Sequence, residues 1–175
     1  MRLVLADSLR RAERLYGRRE GVVCGEARLT YAAFGARCRR LAAGLRRLGV
    51  RRGDRVAVLM ANCHRYLEAY TAIPGLGAVI VPLNTRHALT EHQAILADCG
   101  PRLLIVDTAH RHLAEALAPA VETVLPAPED YERLVTASAE VEVGDEVAEE
   151  DLAGLFYTGG TTGKPKGVML THRNL

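Results

Sequence analysis

RVAVLMANCHRYLEAYTAIPGLGAVIVPL, residues 55–83, holds two short apolar runs, RVAVLM and AVIVPL, on either side of a segment with helical composition. Neither run alternates apolar with polar residues, so each reads as a strand buried on both faces. HRYLEAYTAIPGLG between them reads as a helix interrupted near Pro74, because proline lacks the N–H that a helix interior needs. Strand, helix and strand in this order make one parallel crossover unit.

The pattern repeats outward. TEHQAILADCG reads as a helix opened by Thr90, and PRLLIVD as a third strand. HRHLAEALA, VETVLP and PEDYERLV continue the alternation. Upstream, Leu9, Ala12, Leu15 and Tyr16 mark one side of a helix that ends at Gly17. GVVCGEARLTY reads as two short strands around a turn at Gly25 and Glu26. Thr30 can cap a second helix, whose apolar stripe is Phe34, Cys38, Leu41, Leu45 and Leu48 and which Gly49 ends. The fold class is therefore α/β, a mostly parallel sheet with helices on both faces. In 175 residues, with 49% hydrophobic content, there is material for one sizeable core.

Charge is unevenly placed. Residues 1–55 carry 15 arginines against 5 acids, and the remainder carries 8 basic residues against 16 acids. The arginines fall opposite the apolar stripe of the second helix and read as a solvated helix face. Aromatic residues that could stack bases are scarce there, so no nucleic-acid partner is expected. From Glu140 to Asp151 there are seven acids and no base, which reads as an exposed linker. No apolar run reaches the roughly eighteen residues of a membrane span. The N-terminal MRLVLADSLRRAERLYG meets charge too early for a secretion signal. A cytoplasmic protein is expected. Cys24, Cys38, Cys63 and Cys99 show no paired spacing and read as reduced, mostly buried thiols. His110 and His112 lie two apart and His87 and His92 five apart; neither spacing shares a helical face, so no metal site is expected.

DLAGLFY reads as a buried strand that leads into YTGGTTGKPKG, residues 157–167. Glycine and threonine bury little apolar area and are costly to order, so the partner of this loop should lie outside the chain. Successive glycines let several N–H groups converge on one anion, and threonine hydroxyls add donors. Lys164 and Lys166 are the only lysines, against 21 arginines. A flexible point charge suits a moving polyphosphate. The P-loop pattern fails, since Thr158 stands where its first glycine belongs and Pro165 where its Ser or Thr belongs. GLGAVI at 75–80 lacks the third glycine of a dinucleotide fingerprint and precedes a strand, so it reads as tight helix-to-strand packing.

YTGGTTGKPKGVMLTHRNL closely resembles the signature loop of the adenylate-forming (AMP-binding) enzymes: acyl- and aryl-CoA synthetases, luciferases and peptide-synthetase adenylation domains. LTYAAF, GAVIVPLN and DLAGLFY resemble further motifs of that superfamily, in order. The resemblance implies that residues 1–175 are the N-terminal portion of a larger AMP-binding domain of the acyl-CoA synthetase type. It implies ATP, Mg2+ and coenzyme A as cofactors, a small-molecule carboxylate as substrate, and a thioester as product. Thr158, Gly159, Gly160, Thr161, Thr162, Gly163, Lys164 and Lys166 would hold the ATP phosphates, with Lys166 the principal charge and Lys164 the lesser one. None of them would be a catalytic nucleophile. His172 matches a frequent histidine of the family, but Thr171 reads as a helix N-cap, and no chemistry is assigned to either. The same resemblance places the adenine and carboxylate pocket, the acidic magnesium ligand, the ribose-binding Asp and a mobile C-terminal domain with its lysine beyond Leu175. The NTR after VPL, with THRNL, leans toward a fatty-acyl substrate. An aryl-CoA ligase, a peptide-synthetase domain, or a freestanding module that binds nucleotide without turnover are the alternatives.

Overall fold

A computed structural model of the chain describes residues 4–159 and 165–175. Helix α1 (Leu5–Tyr16) leads to a small antiparallel pair, β1 (Glu20–Cys24) and β2 (Ala27–Thr30). The turn between them needs the left-handed backbone of Gly25, φ 57°. Thr30 Oγ1 accepts the Ala33 N–H at 3.1 Å and opens α2 (Tyr31–Arg47), as its sequence position predicts.

Then come β3 (Arg55–Leu59), α3 (His64–Gly75), β4 (Val79–Pro82), α4 (Leu89–Cys99), β5 (Leu103–Val106), α5 (Arg111–Leu117), β6 (Thr123–Pro126), α6 (Glu129–Thr136), β7 (Leu152–Thr158) and β8 (Lys166–Thr171). The six larger strands form one sheet in the order β6-β5-β3-β4-β7-β8. All pairings are parallel except β7 with β8. The α/β reading holds, with helices on both faces. Along β3, Val56 and Val58 pack toward α2, α3 and α6, with Leu41, Ile73 and Tyr131. Ala57 and Leu59 pack the other way, toward α4 and α5, with Ile95, Leu96 and Leu117. That double burial is why the strand sequence shows no alternation.

Several local expectations are corrected. Helix α4 starts one residue before Thr90: Ala88 is its N-cap, and Glu91 Oε2 accepts the Ala88 N–H at 2.8 Å. Pro74 sits in the last turn of α3, so the helix runs through it and stops at Gly75. Leu15 and Tyr16 are 49% and 47% exposed, and Ala6 is the residue α1 buries. Cys38 and Cys99 are buried, but Cys24 and Cys63 are only half-buried; all four are free thiols.

The larger correction concerns charge. The arginines of α2 are a solvated face only in part: Arg40, Arg46 and Arg47 are exposed, but Arg37 and Arg39 reach acids on other elements. Arg37 Nε donates to Glu68 Oε1 at 2.6 Å, and its Nη2 donates to Glu132 at 2.9 Å. Glu68 is 0% exposed and also accepts from Tyr131 Oη at 2.8 Å, so α2, α3 and α6 share one buried polar knot. Arg39 holds Glu13 of α1 at 2.9 Å and Glu140 at 2.8 Å.

The acidic segment is likewise no mere solvated linker. Val143 and Val147 are buried in it, and Asp145 pairs with Arg10 at 2.5 Å. Asp151 pairs with Arg52 at 2.6 Å. Gly144 holds φ 86°, its N–H bonds to Gly75 O at 2.7 Å, and a Cβ there would stand 2.6 Å from the Ala6 Cβ. Gly75 in turn passes so close to Val143 that a Cβ would stand 3.1 Å from the Val143 Cβ, which fits the tight packing read from GLGAVI.

Candidate functional site

The β7–β8 hairpin carries the candidate site. β7 lies parallel to β4, with Ile80 opposite Gly154, so its last residue emerges at the carboxyl end of the parallel strands, where open α/β sheets bind ligands. Alternation anchors β7 on both sides. Phe156 meets Tyr70 of α3 with ring centroids 6.3 Å apart, while Leu155 and Tyr157 pack on the α4 side. Gly154 makes room for this, because a Cβ there would come within 2.6 Å of the Phe156 ring.

Thr158 and Lys166 are the last cross-strand pair, so the structure brings the two ends of the glycine-threonine turn together. Thr158, Gly159 and Lys166 are exposed. No described residue lies within 4 Å of a Cβ placed on Gly159. Lys166 makes no ion pair with any described residue. Gly160, Thr161, Thr162, Gly163 and Lys164, the remaining predicted phosphate-binding residues, lie outside the described residues. An exposed cation beside open glycine backbone, at the carboxyl edge of a parallel sheet, can bind an anion.

A cavity of about 490 Å³ lies elsewhere, between the β1–β2 pair and α3, with Val22, Cys24, Cys63 and Tyr70 among its walls. No described residue of the hairpin lines it.

Histidine positions were only partly legible. His172 is buried and its Nδ1 accepts the Leu5 N–H at 3.3 Å, a packing role. Burial lowers its pKa, despite the opposing charge of Asp151. Asn174 Oδ1 accepts from Thr171 N at 3.0 Å and Thr171 Oγ1 at 2.9 Å, closing the short 3-10 turn His172–Asn174. His87 and His92, which their spacing keeps apart on a helix, stand with rings 5.9 Å apart, because His87 belongs to the turn before α4. Burial and then the neighbouring His87 lower the His92 pKa. Among the described residues no trio of His, Cys, Asp or Glu could hold a metal ion.

Sequence reasoning missed Asp98. Tyr157 Oη donates to Asp98 Oδ2 at 2.5 Å, joining the last turn of α4 to the stem of the hairpin. Burial, followed by this carboxylate, pushes the Tyr157 pKa up. No pattern signals such a pair, since the two residues lie 59 apart in sequence.

Residues 9–175 match the AMP-binding enzyme family, and the chain belongs to that family. The chain is 43% identical over 184 residues to a long-chain-fatty-acid–CoA ligase of Thermus thermophilus, covering 99% of this chain and 34% of that protein. It is 45% identical over 152 residues to a feruloyl-CoA synthase of an Amycolatopsis species, covering 86% of this chain and 30% of that protein. Among solved structures, the inhibitor-bound N-terminal domain of FACL13 from Mycobacterium tuberculosis superposes with a TM-score of 0.92 at 32% identity, covering 98% of this chain and 45% of that one. The chain thus spans about a third of the length of the curated relatives it matches. No helix among the described residues is long and apolar enough to cross a membrane.

Proposed function

We propose that residues 1–175 are the N-terminal portion of the AMP-binding domain of an ATP-dependent acyl-CoA synthetase. In that reaction a substrate carboxylate oxygen bonds to the α-phosphorus of ATP, the α–β bridging P–O bond breaks, and pyrophosphate leaves. The thiol sulfur of coenzyme A then attacks the acyl carbonyl, loses its proton, and displaces AMP.

Thr158, Gly159, Gly160, Thr161, Thr162, Gly163, Lys164 and Lys166 hold the β- and γ-phosphates in this reading, and Mg2+ enters with the nucleotide. Their contribution is positioning and charge stabilisation, since none is an activated nucleophile. The observation that carries the reading is the hairpin itself, which presents Thr158, Gly159 and a Lys166 without an ion pair among the described residues together in a chain matched to the family over 167 of its 175 residues, 9–175. A fatty acid is the first substrate reading, supported by the 43% identical Thermus relative across nearly the whole chain. An aromatic acid is the second, favoured by the 45% identity to a feruloyl-CoA synthase.

Acid-dependent pyrophosphate exchange by the full-length enzyme, run across fatty and aromatic acids, tests the reading. Exchange with fatty acids ahead of aromatic ones is expected. ATP binding without exchange for any acid would leave a nucleotide-binding module instead. Lys166→Ala should slow adenylation by about ten- to a hundredfold, the equivalent of one charge-assisted contact of about 1.5–3 kcal/mol, with the melting temperature unchanged. An unchanged rate would return Lys166 to an ordinary surface lysine.

A further inference from the structure

We infer that Asp98, Tyr157 and Gly167 form a clamp that positions the nucleotide-binding hairpin, with Asp98 acting through Tyr157 and touching no substrate. The inference rests on reading the β7–β8 turn as the phosphate-binding loop.

Three contacts carry it. Tyr157 and Gly167 face each other across the hairpin, one step inside the Thr158–Lys166 pair. The Tyr157 ring lies against Gly167 so closely that a Cβ there would stand 3.1 Å from Cζ and 3.3 Å from Oη. The Tyr157 hydroxyl, held in that position, donates to Asp98 on α4 at 2.5 Å. Both stems of the turn are therefore tied through one ring to a helix whose opposite end is buried through His92 and Ile95.

β8 needs such a tie. It is the edge of the described sheet, and its Val168 and Met169 are exposed, Met169 at 68%. Apolar burial alone therefore does little to fix its position. A hydroxyl anchored on a helix, with a glycine that lets the ring lie flat, fixes Thr158 and Lys166 relative to the parallel strands before nucleotide arrives. Preorganisation of this kind lowers the ordering cost of binding.

The test uses the full-length enzyme with ATP and the acid varied separately. Tyr157→Phe and Asp98→Ala should each raise KM for Mg-ATP about three- to tenfold, the loss of one net hydrogen bond, while KM for the acid stays put. Asp98→Asn keeps an acceptor for the hydroxyl and should recover most of the loss. The double variant Tyr157→Phe/Asp98→Ala should be no worse than either single one, since both break the same contact. Gly167→Ala, which pushes the ring off its seat, should act in the same direction. Unchanged ATP dependence in both single variants, equal effects on acid and ATP, or effects that multiply in the double variant would overturn the clamp.

Should wild-type enzyme show no acid-dependent exchange, the functional reading fails separately. Amide exchange then decides the clamp alone: Tyr157→Phe should speed exchange at Gly167 and Val168 and leave β3, β4 and β5 as they were. Unaltered exchange in the hairpin overturns it.

Discussion

The acid-rich stretch 140–151 and the tip of the β7–β8 hairpin look alike in sequence, each a polar connection without apolar periodicity. They are opposite in structure. The acidic stretch buries Val143 and Val147 and sends Glu140, Asp145 and Asp151 to Arg39, Arg10 and Arg52. The hairpin tip leaves Thr158, Gly159 and Lys166 exposed, and Lys166 has no ion-pair partner among the described residues. One set of charges is used inside the chain to seam the basic first third to the acidic remainder. The other is exposed, where the proposed reading places a ligand. Net charge could not make this distinction, because it counts both kinds together.

The centre of the seam is the most sensitive place to break the contrast. Glu68→Ala would leave the Arg37 guanidinium and the Tyr131 hydroxyl without their shared buried partner. Removing one member of a buried pair costs about 3–5 kcal/mol. Urea unfolding of the variant should show that loss. Glu68→Gln, which keeps an acceptor for Tyr131, should lose less. A loss well under about 1 kcal/mol in the alanine variant would mean that the knot is not what holds α2, α3 and α6 together.

The next effect lies in the acidic stretch. Gly144→Ala forces a side chain onto φ 86° and into the Ala6 methyl at 2.6 Å. Strain at such a position costs about 1–3 kcal/mol. The melting temperature should fall while ATP dependence, measured below the transition, stays as in wild type. A variant that folds normally but loses its ATP dependence would dissolve the division between a structural strap and a ligand-facing tip.

How much of this was legible follows from the range of each interaction. The parallel strands were readable because double burial writes an uninterrupted apolar run, as in RVAVLM, and Thr30 was readable because a cap acts three residues away. The ion pairs were not. Arg39 and Glu140 are 101 residues apart, and only the fold brings them together. The start of helix α4 was misread because Thr90 carries a capping side chain and Ala88 does not, yet the reach of Glu91 back to the Ala88 N–H sets the boundary at Ala88. At the site, the glycines, threonines and lysines stood out because their composition serves no core, and anion binding by them is the reading proposed above. Asp98 announced nothing, since its partner Tyr157 lies on another element. His87 and His92 escaped a rule about helical faces by meeting where a turn joins a helix.

Acid should separate the two regions by the smallest and most graded effect. His92, His64 and His172 have pKa values lowered first by burial, with His87 adding to the effect at His92 and Arg65 at His64. Each is held neutral by the fold, so its contribution is intact above the unfolded value of about 6.5 and is lost as pH falls through the lower folded value. Glu132 follows. Burial opposes its charge, but hydrogen bonds and charge from Arg37 and Arg65 outweigh that and hold its carboxyl below the usual range. Its contribution is present above about 4.3 and disappears as pH falls further. Stability should therefore decline in two stages, one beginning near pH 6.5 and a second below about 4.3. The hairpin from Leu152 to Thr171 contains neither histidine nor carboxylate, so acid should loosen the packed body before it alters the chemistry of the tip. Melting temperatures from about pH 8 to about pH 3 for wild type and His92→Leu would decide the point. The variant should flatten the first stage and leave the second in place, and an undiminished decline between pH 7 and 5.5 would show that the buried imidazole at the root of α4 does not set it.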